Sequence, residues 1–351
     1  MKKPLSCLKL FLFPAVLFCL ILNNPLLGRA DQSQDERTVL INQQLNEFDS
    51  TQSHADGVSR EFSNTTQPDT LKDSPNAQPE MPSPVDTRKR FVKTRVHNLD
   101  VGSEILYYRY QEPNPGAGIK NHGPMAGYYA DYTYRPASGN FLNNPIANVY
   151  YLQERYAFSH NLEYKGSGIV KGKHDTADEI RGLVGKDCFI RTDIRVTPYT
   201  GFGFRYLFDR GDGQLSSTGY WGYDRKSHYY YLPLGADLAK EMPNNWEIDL
   251  NAEYDILIYG LQKSYLSDGD QFNGLNNANF TNPQNKGFGL RASIKLLKRG
   301  SLVDFYVEPY FRFWNIEQSD TKTGMDDGTM QTLVEPKNNT IEVGSKFGVQ
   351  F

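Results

Sequence analysis

The stretch Thr340-Ile341-Glu342-Val343-Gly344-Ser345-Lys346-Phe347-Gly348-Val349-Gln350-Phe351 decides the fold. A period of two places Ile341, Val343, Phe347, Val349 and Phe351 on one face of a strand, and Glu342, Lys346 and Gln350 on the other. A soluble protein rarely ends on an exposed apolar face. A transmembrane β-barrel needs such strands, because its outer face meets lipid and its inner face meets water.

Working back from this end, the same alternation recurs. Ten strands are expected, at about 100–111, 123–135, 147–165, 177–189, 193–209, 226–240, 246–262, 285–297, 302–317 and 338–351. In the seventh, Trp246, Ile248, Leu250, Ala252, Tyr254, Ile256 and Ile258 oppose Glu247, Asp249, Asn251, Glu253 and Asp255. In the eighth, Phe288, Leu290, Ala292, Ile294 and Leu296 oppose Gly289, Arg291, Ser293 and Lys295. In the ninth, Phe305, Val307, Phe311 and Phe313 oppose Asp304, Tyr306, Glu308, Tyr310 and Arg312. Connections near 189–191, 242–245 and 298–301 are short, whereas 210–225, 267–284 and 319–337 are long and polar. Short turns at one end and long loops at the other are the outer-membrane pattern, and an even strand count puts both ends of the barrel in the periplasm. Pro198, Pro233 and Pro309 fall inside strands and lack a ladder donor, so bulges are expected there. Trp246, Tyr206, Phe208, Phe311, Phe313 and Phe351 read as aromatic girdles at the apolar band's edges.

The sequence is thus read as all-β: a transmembrane antiparallel up-and-down β-barrel of about ten strands over residues 93–351. Lys2, Lys3 and Lys9 precede an apolar run from Leu10 to Leu22 and a small-residue site at Gly28-Arg29-Ala30, the layout of a signal peptide over residues 1–30. Residues 31–92 are polar and Pro-rich and read as a disordered periplasmic linker, with one short helix between Arg37 and Phe48. The formal charge is −3, and about −7 without the four cations of the signal segment, so no basic footprint for nucleic acid exists. Cys188 is the one cysteine beyond that segment, which excludes an internal disulfide. No cofactor is expected, nor a metal site, because one Cys and scattered His do not form a ligand cluster.

The chemistry is expected on the inner face. Glu247, Asp249, Glu253, Asp255, Arg291, Lys295, Asp304, Glu308, Arg312, Arg205, Glu342 and Lys346 are the candidate lumen or pore-lining residues, with Glu104, Asp131, Arg155, Glu179 and Arg181 as further inward groups. Opposed charges in a confined lumen need partners, since a buried lone charge costs several kcal/mol, and small barrels fill their interiors with side chains. A salt-bridged filling is the leading expectation. A narrow pore whose Asp249, Glu253 and Asp255 stripe attracts cations is the alternative. Gly201, Gly203, Gly287 and Gly289 face inward and make room for bulky neighbours such as Tyr231 or Arg205.

Tyr199–Leu207, Tyr229–Gly235, Val307–Arg312 and Asn338–Gly344, together with the terminal phenylalanine, resemble Gram-negative outer-membrane β-barrel proteins. The ending is similar to the C-terminal strand that the outer-membrane assembly machinery recognises. The internal segments are similar to a group that includes Protochlamydia-type members with a proposed porin role. The resemblance implies a cell outer-membrane location and contact with membrane lipid and lipopolysaccharide. Ten strands is also the size of the omptin proteases, whose site uses an Asp-x-His. This chain has no Asp-x-His; His174-Asp175 and Asp326-Asp327 have the residue types without the spacing. The expected protein is therefore a monomeric, non-enzymatic barrel with a structural or surface-interaction role, and an adhesin reading rests on the Asn-rich loop from Ser267 to Gln284.

Overall fold

The computed structural model describes residues 94–113, 118–274, 276–326 and 328–351. The expected signal segment, linker and short helix, and Asp327, lie outside the described residues.

Ten long strands make the barrel: β1 (His97–Gln111), β2 (Lys120–Tyr134), β3 (Val149–Phe158), β4 (Thr176–Gly185), β5 (Ile194–Asp209), β6 (Arg225–Met242), β7 (Trp246–Ser264), β8 (Gly287–Lys298), β9 (Asp304–Ile316) and β10 (Asn338–Gln350). Each pairs antiparallel with its chain neighbours, and β1 pairs with both β2 and β10, which closes the ring. Closure removes every sheet edge inside the apolar layer, where an unpaired backbone group would be costly. The seam is held to its last residue: Phe351 N–H donates to Leu99 C=O at 3.0 Å.

Side chains sort as the alternation requires. On β7, Leu250, Tyr254 and Ile256 face out, while Glu253 and Asp255 are buried inside. The expected bulges at the three prolines are absent. Pro198 keeps its register with β6, and pairing beside Pro233 and Pro309 is interrupted without a shift. Proline here loses a donor without adding a residue. The register shift falls instead between Leu257 and Tyr259 on β7, opposite Tyr231 and Tyr230. The extra residue puts Ile258 and Tyr259 both outside, each 40% exposed, and returns Gly260 to the inside.

At one end the turns are mostly short. Pro243–Asn245 joins β6 to β7 with Asn244 and Asn245 in the left-handed region (φ 61° and 62°), a conformation asparagine tolerates better than most residues. The 135–148 connection is the long exception at this end. At the other end the loops carry their own structure. The third expected strand, 147–165, ends at Phe158; beyond it a hairpin of Leu162–Lys165 and Ile169–Lys173 pairs with the top of β2. Phe280–Gln284 extends the edge of β7, and Lys322–Asp326 pairs with Thr329–Leu333. Of the expected girdle, Trp246 sits at the short-turn end under the Lys298 ammonium, 5.1 Å from its ring, and Tyr206 and Phe208 sit near the long-loop end. Phe311 departs from that reading. It pairs with Ala292, which lies opposite Ala252 midway along β7, so it belongs to the middle of the apolar band. No helix among the described residues is long and apolar enough to cross a membrane.

Candidate functional site in the lumen

All twelve lumen candidates face inward, and they divide into two groups by height.

At mid-height the ion pairs close on one another. Glu104 (β1) pairs with Arg155 (β3) at its Nε, and Nη2 of the same guanidinium lies 2.9 Å from Glu342 (β10). Glu342 also meets Arg205 (β5) at 3.1 Å and Arg312 (β9) at 3.4 Å. Tyr310 donates its hydroxyl to Glu104 at 2.8 Å. Beside this set, Arg291 (β8) grips Glu179 (β4) through two nitrogens at 2.7 and 2.5 Å, and its Nε donates to Asp255 (β7) at 2.7 Å. Arg181 (β4) pairs with Glu253. Tyr231 and Tyr199 donate to Glu179 and Glu253, each at 2.7 Å.

Trp314 joins the two sets. It is 2% exposed, meets Tyr231 edge-on at 5.0 Å, and has Arg205 and Arg291 over its ring at 5.6 and 5.9 Å. Five arginines and five carboxylates thus share one network around an aromatic wedge. Glu104, Glu342 and Asp255 are each 2% exposed or less. Charges buried this completely persist only when paired, and the equal count of signs is what allows it. Glycines make the space. A Cβ on Gly203 would collide with the Tyr231 ring, and one on Gly289 would lie 2.8 Å from Asp255 and 2.9 Å from Trp314. Gly203 and Gly289 therefore seat large rings, as expected, whereas Gly201 lies against Leu183 and the backbone of Gly182, and Gly287 against Ile316 and Leu257.

Toward the short-turn end the lumen opens into a cavity of about 180 Å³. Lys346 meets Asp131 at 3.3 Å, Lys295 pairs with Asp100, and Arg299 pairs with Glu247 and lies 3.4 Å from Asp304. Asp249 and Glu308 line this cavity, and among the described residues no hydrogen bond reaches the buried Oδ1 of Asp249. The acidic stripe of β7 is therefore split: Glu253 and Asp255 are held by arginines, while Asp249 is left beside the open space.

Toward the long-loop end a second cluster forms that the alternation did not mark, because it is built from strand ends and loops. Arg225 meets Glu112 at 2.8 Å, Asp209 at 2.9 Å and Glu335 at 3.7 Å, and lies 5.2 Å over the Tyr110 ring. Lys173 pairs with Asp209, and Asn121 donates to Asp175. Burial and repulsion from Asp209 push Asp175 up to about 7. Burial pushes Glu335 up to about 7 against the pull of Arg225. The Lys173 ammonium and the Arg225 guanidinium both reach the Asp209 carboxylate. The signal that would have found this cluster is charge density at strand ends: Glu112, Asp175, Asp209 and Arg225 each flank or terminate a barrel strand.

The His174 of the sequence reading lies on the exposed rim, its Nδ1 2.6 Å from that of His160. Its neighbour Asp175 turns inward to Asn121. Among the described residues no group of His, Cys, Asp and Glu has a metal-binding arrangement.

No family model matches the sequence, and no curated protein is similar to it. Solved structures are. The Escherichia coli outer membrane protease OmpT matches with a TM-score of 0.52 at 7% identity, over 73% of this chain and 95% of that one. The translocator domain of the autotransporter NalP from Neisseria meningitidis matches with a TM-score of 0.34 at 10% identity, over 71% and 88%. A deletion mutant of the monoaromatic hydrocarbon channel TodX matches with a TM-score of 0.29 at 7% identity, over 74% and 91%. At such identities the likeness concerns the fold: the chain has the closed ten-strand architecture of an omptin-sized outer-membrane β-barrel.

Proposed function

We propose that this chain is an outer-membrane barrel of structural or surface-interaction role whose lumen is closed by side chains. The charge-balanced network around Trp314 carries this reading. The cavity at the short-turn end and the Arg225 cluster at the long-loop end have no lining residue in common, and the network lies between them. In the membrane the short-turn end faces the periplasm and the structured loops face outward. The Phe351 strand serves as the assembly signal, and membrane lipid and lipopolysaccharide surround the wall.

A narrow channel for ions or small solutes is the second reading, favoured by the open cavity around Asp249. It requires the Trp314 network to move. Planar-bilayer recording separates the two. A silent bilayer supports the closed barrel, and steady channels that lose cation preference in Asp249→Asn establish the pore. An omptin-like protease is the third reading and finds least support, since His174 contacts His160 and, among the described residues, no carboxylate bonds to it. Peptide cleavage abolished by His174→Ala would reverse that order.

A further inference from the structure

The outer wall is not uniform. On β6–β8 the outward positions are aliphatic and aromatic along the band, as with Leu234, Ile256 and Leu290. On β2–β4 two carboxylates face outward. Glu154 is exposed and pairs across the sheet with Ala130 and Ile180. Asp178, half-buried, pairs with Tyr156 and Tyr206. The two sit diagonally on adjacent strands.

Their depth follows from strand length. β3 and β4 have 10 residues each, about what one crossing of the hydrocarbon layer takes. Glu154 is at the centre of β3 and so lies within that layer. Their inward neighbours Arg155 and Glu179 are engaged in the lumen, but among the described residues no hydrogen bond or ion pair reaches Glu154 or Asp178. An ionisable side chain facing lipid at this depth is unfavourable and marks function by default. The surrounding surface differs as well: Tyr128, Tyr132 and Tyr156 are 61%, 38% and 42% exposed there. Tyrosine is enriched where proteins dock.

We propose that the outer face of β2–β4 is an intramembrane docking surface, and that its occupant is another membrane protein presenting a lysine or arginine to Glu154 and Asp178. Charge complementarity selects this occupant. From Pro124 to Tyr134 on β2, and throughout β3 and β4, no outward position carries Lys or Arg. A second copy meeting this face symmetrically would bring four carboxylates together without a cation. Lipid tails offer no donor. The inference is independent of whether the lumen conducts.

The test places a photo-cross-linking residue at Leu152, which is 55% exposed, in the full-length protein within the outer membrane of its own cell. The expected result is a protein adduct that survives Glu154→Asp, is reduced at least tenfold in Glu154→Gln/Asp178→Asn, and maps to a membrane segment of the partner bearing Lys or Arg. Heat-modifiable migration of each variant confirms that the barrel has folded, which two outward, unpaired carboxylates should not prevent. Adducts to lipid alone, no protein adduct, adducts between two copies, or an adduct indifferent to neutralisation would each overturn the proposal.

Discussion

At mid-height of the lumen, ten charged side chains bury themselves against one another around Trp314. Nearer the short-turn end, Asp249, Lys295, Glu308 and Lys346 line a cavity of about 180 Å³. Both regions use carboxylates and cations from the same strands at the same alternation. They differ in what accompanies the charge. In the middle, Tyr231, Tyr199 and Trp314 fill the space between ion pairs and are seated over glycines. The cavity is lined by small groups such as Ser293 and Thr133 as well as by Tyr151, and its floor is the network itself, with Tyr199, Arg291 and Arg312 on it. A mixed-charge inner face thus becomes a plug where rings fill the space between the ion pairs.

Breaking the middle should have the largest effect. Glu342→Gln leaves Arg155, Arg205 and Arg312 competing for the remaining carboxylates. We expect a loss of about 3–5 kcal/mol in reversible unfolding from lipid vesicles. A loss below about 1 kcal/mol would mean that water, rather than Glu342, satisfies these arginines.

A steric break comes next. Gly203→Val drives a side chain into the Tyr231 ring and should cost about 1–3 kcal/mol. It should also raise bilayer conductance above that of the unmodified protein if Tyr231 is displaced toward the cavity. A stable and silent Gly203→Val barrel would show that the wedge has slack.

The rim responds to pH with a smaller amplitude. Asp175 and Glu335 are raised toward 7, so the stability they contribute is complete below their unfolded values near 4 and is lost as pH rises through about 7. Proteolytic nicking of the 317–337 loop should therefore be faster at pH 8 than at pH 5.5, and Glu335→Gln should flatten that difference. An unchanged profile in Glu335→Gln would remove Glu335 as the cause.

The smallest effect belongs to the cavity. Asp249→Asn should change stability by no more than about 0.5 kcal/mol in either direction. A loss comparable to that of Glu342→Gln would erase the distinction between the two regions.

Much of this was legible in the chain. The ten strands, the inward set and the contrast between short turns and long loops follow from a period of two and from turn composition. Pro233 and Pro309 misled, because a missing donor interrupts pairing without requiring an inserted residue, while the actual bulge at Ile258 carries no proline or glycine. The Arg225 cluster was legible only as charge density at strand ends, since Glu112, Asp209 and Glu335 come from segments with no shared periodicity. Glu154 and Asp178 were legible too, because placing Arg155 and Glu179 on the inner face puts their chain neighbours on the outer one.

Alternation alone determined which side chains face lipid and which face the lumen, because successive residues on a strand must point to opposite sides. Which charges meet was decided only by closure. Glu342 meets Arg155 and Arg205 across the lumen, from strands far from it in the chain, because ten staggered strands bring those heights together. No local pattern encodes that stagger. It arises when the ring shuts, and with it comes the difference between a plug and a cavity.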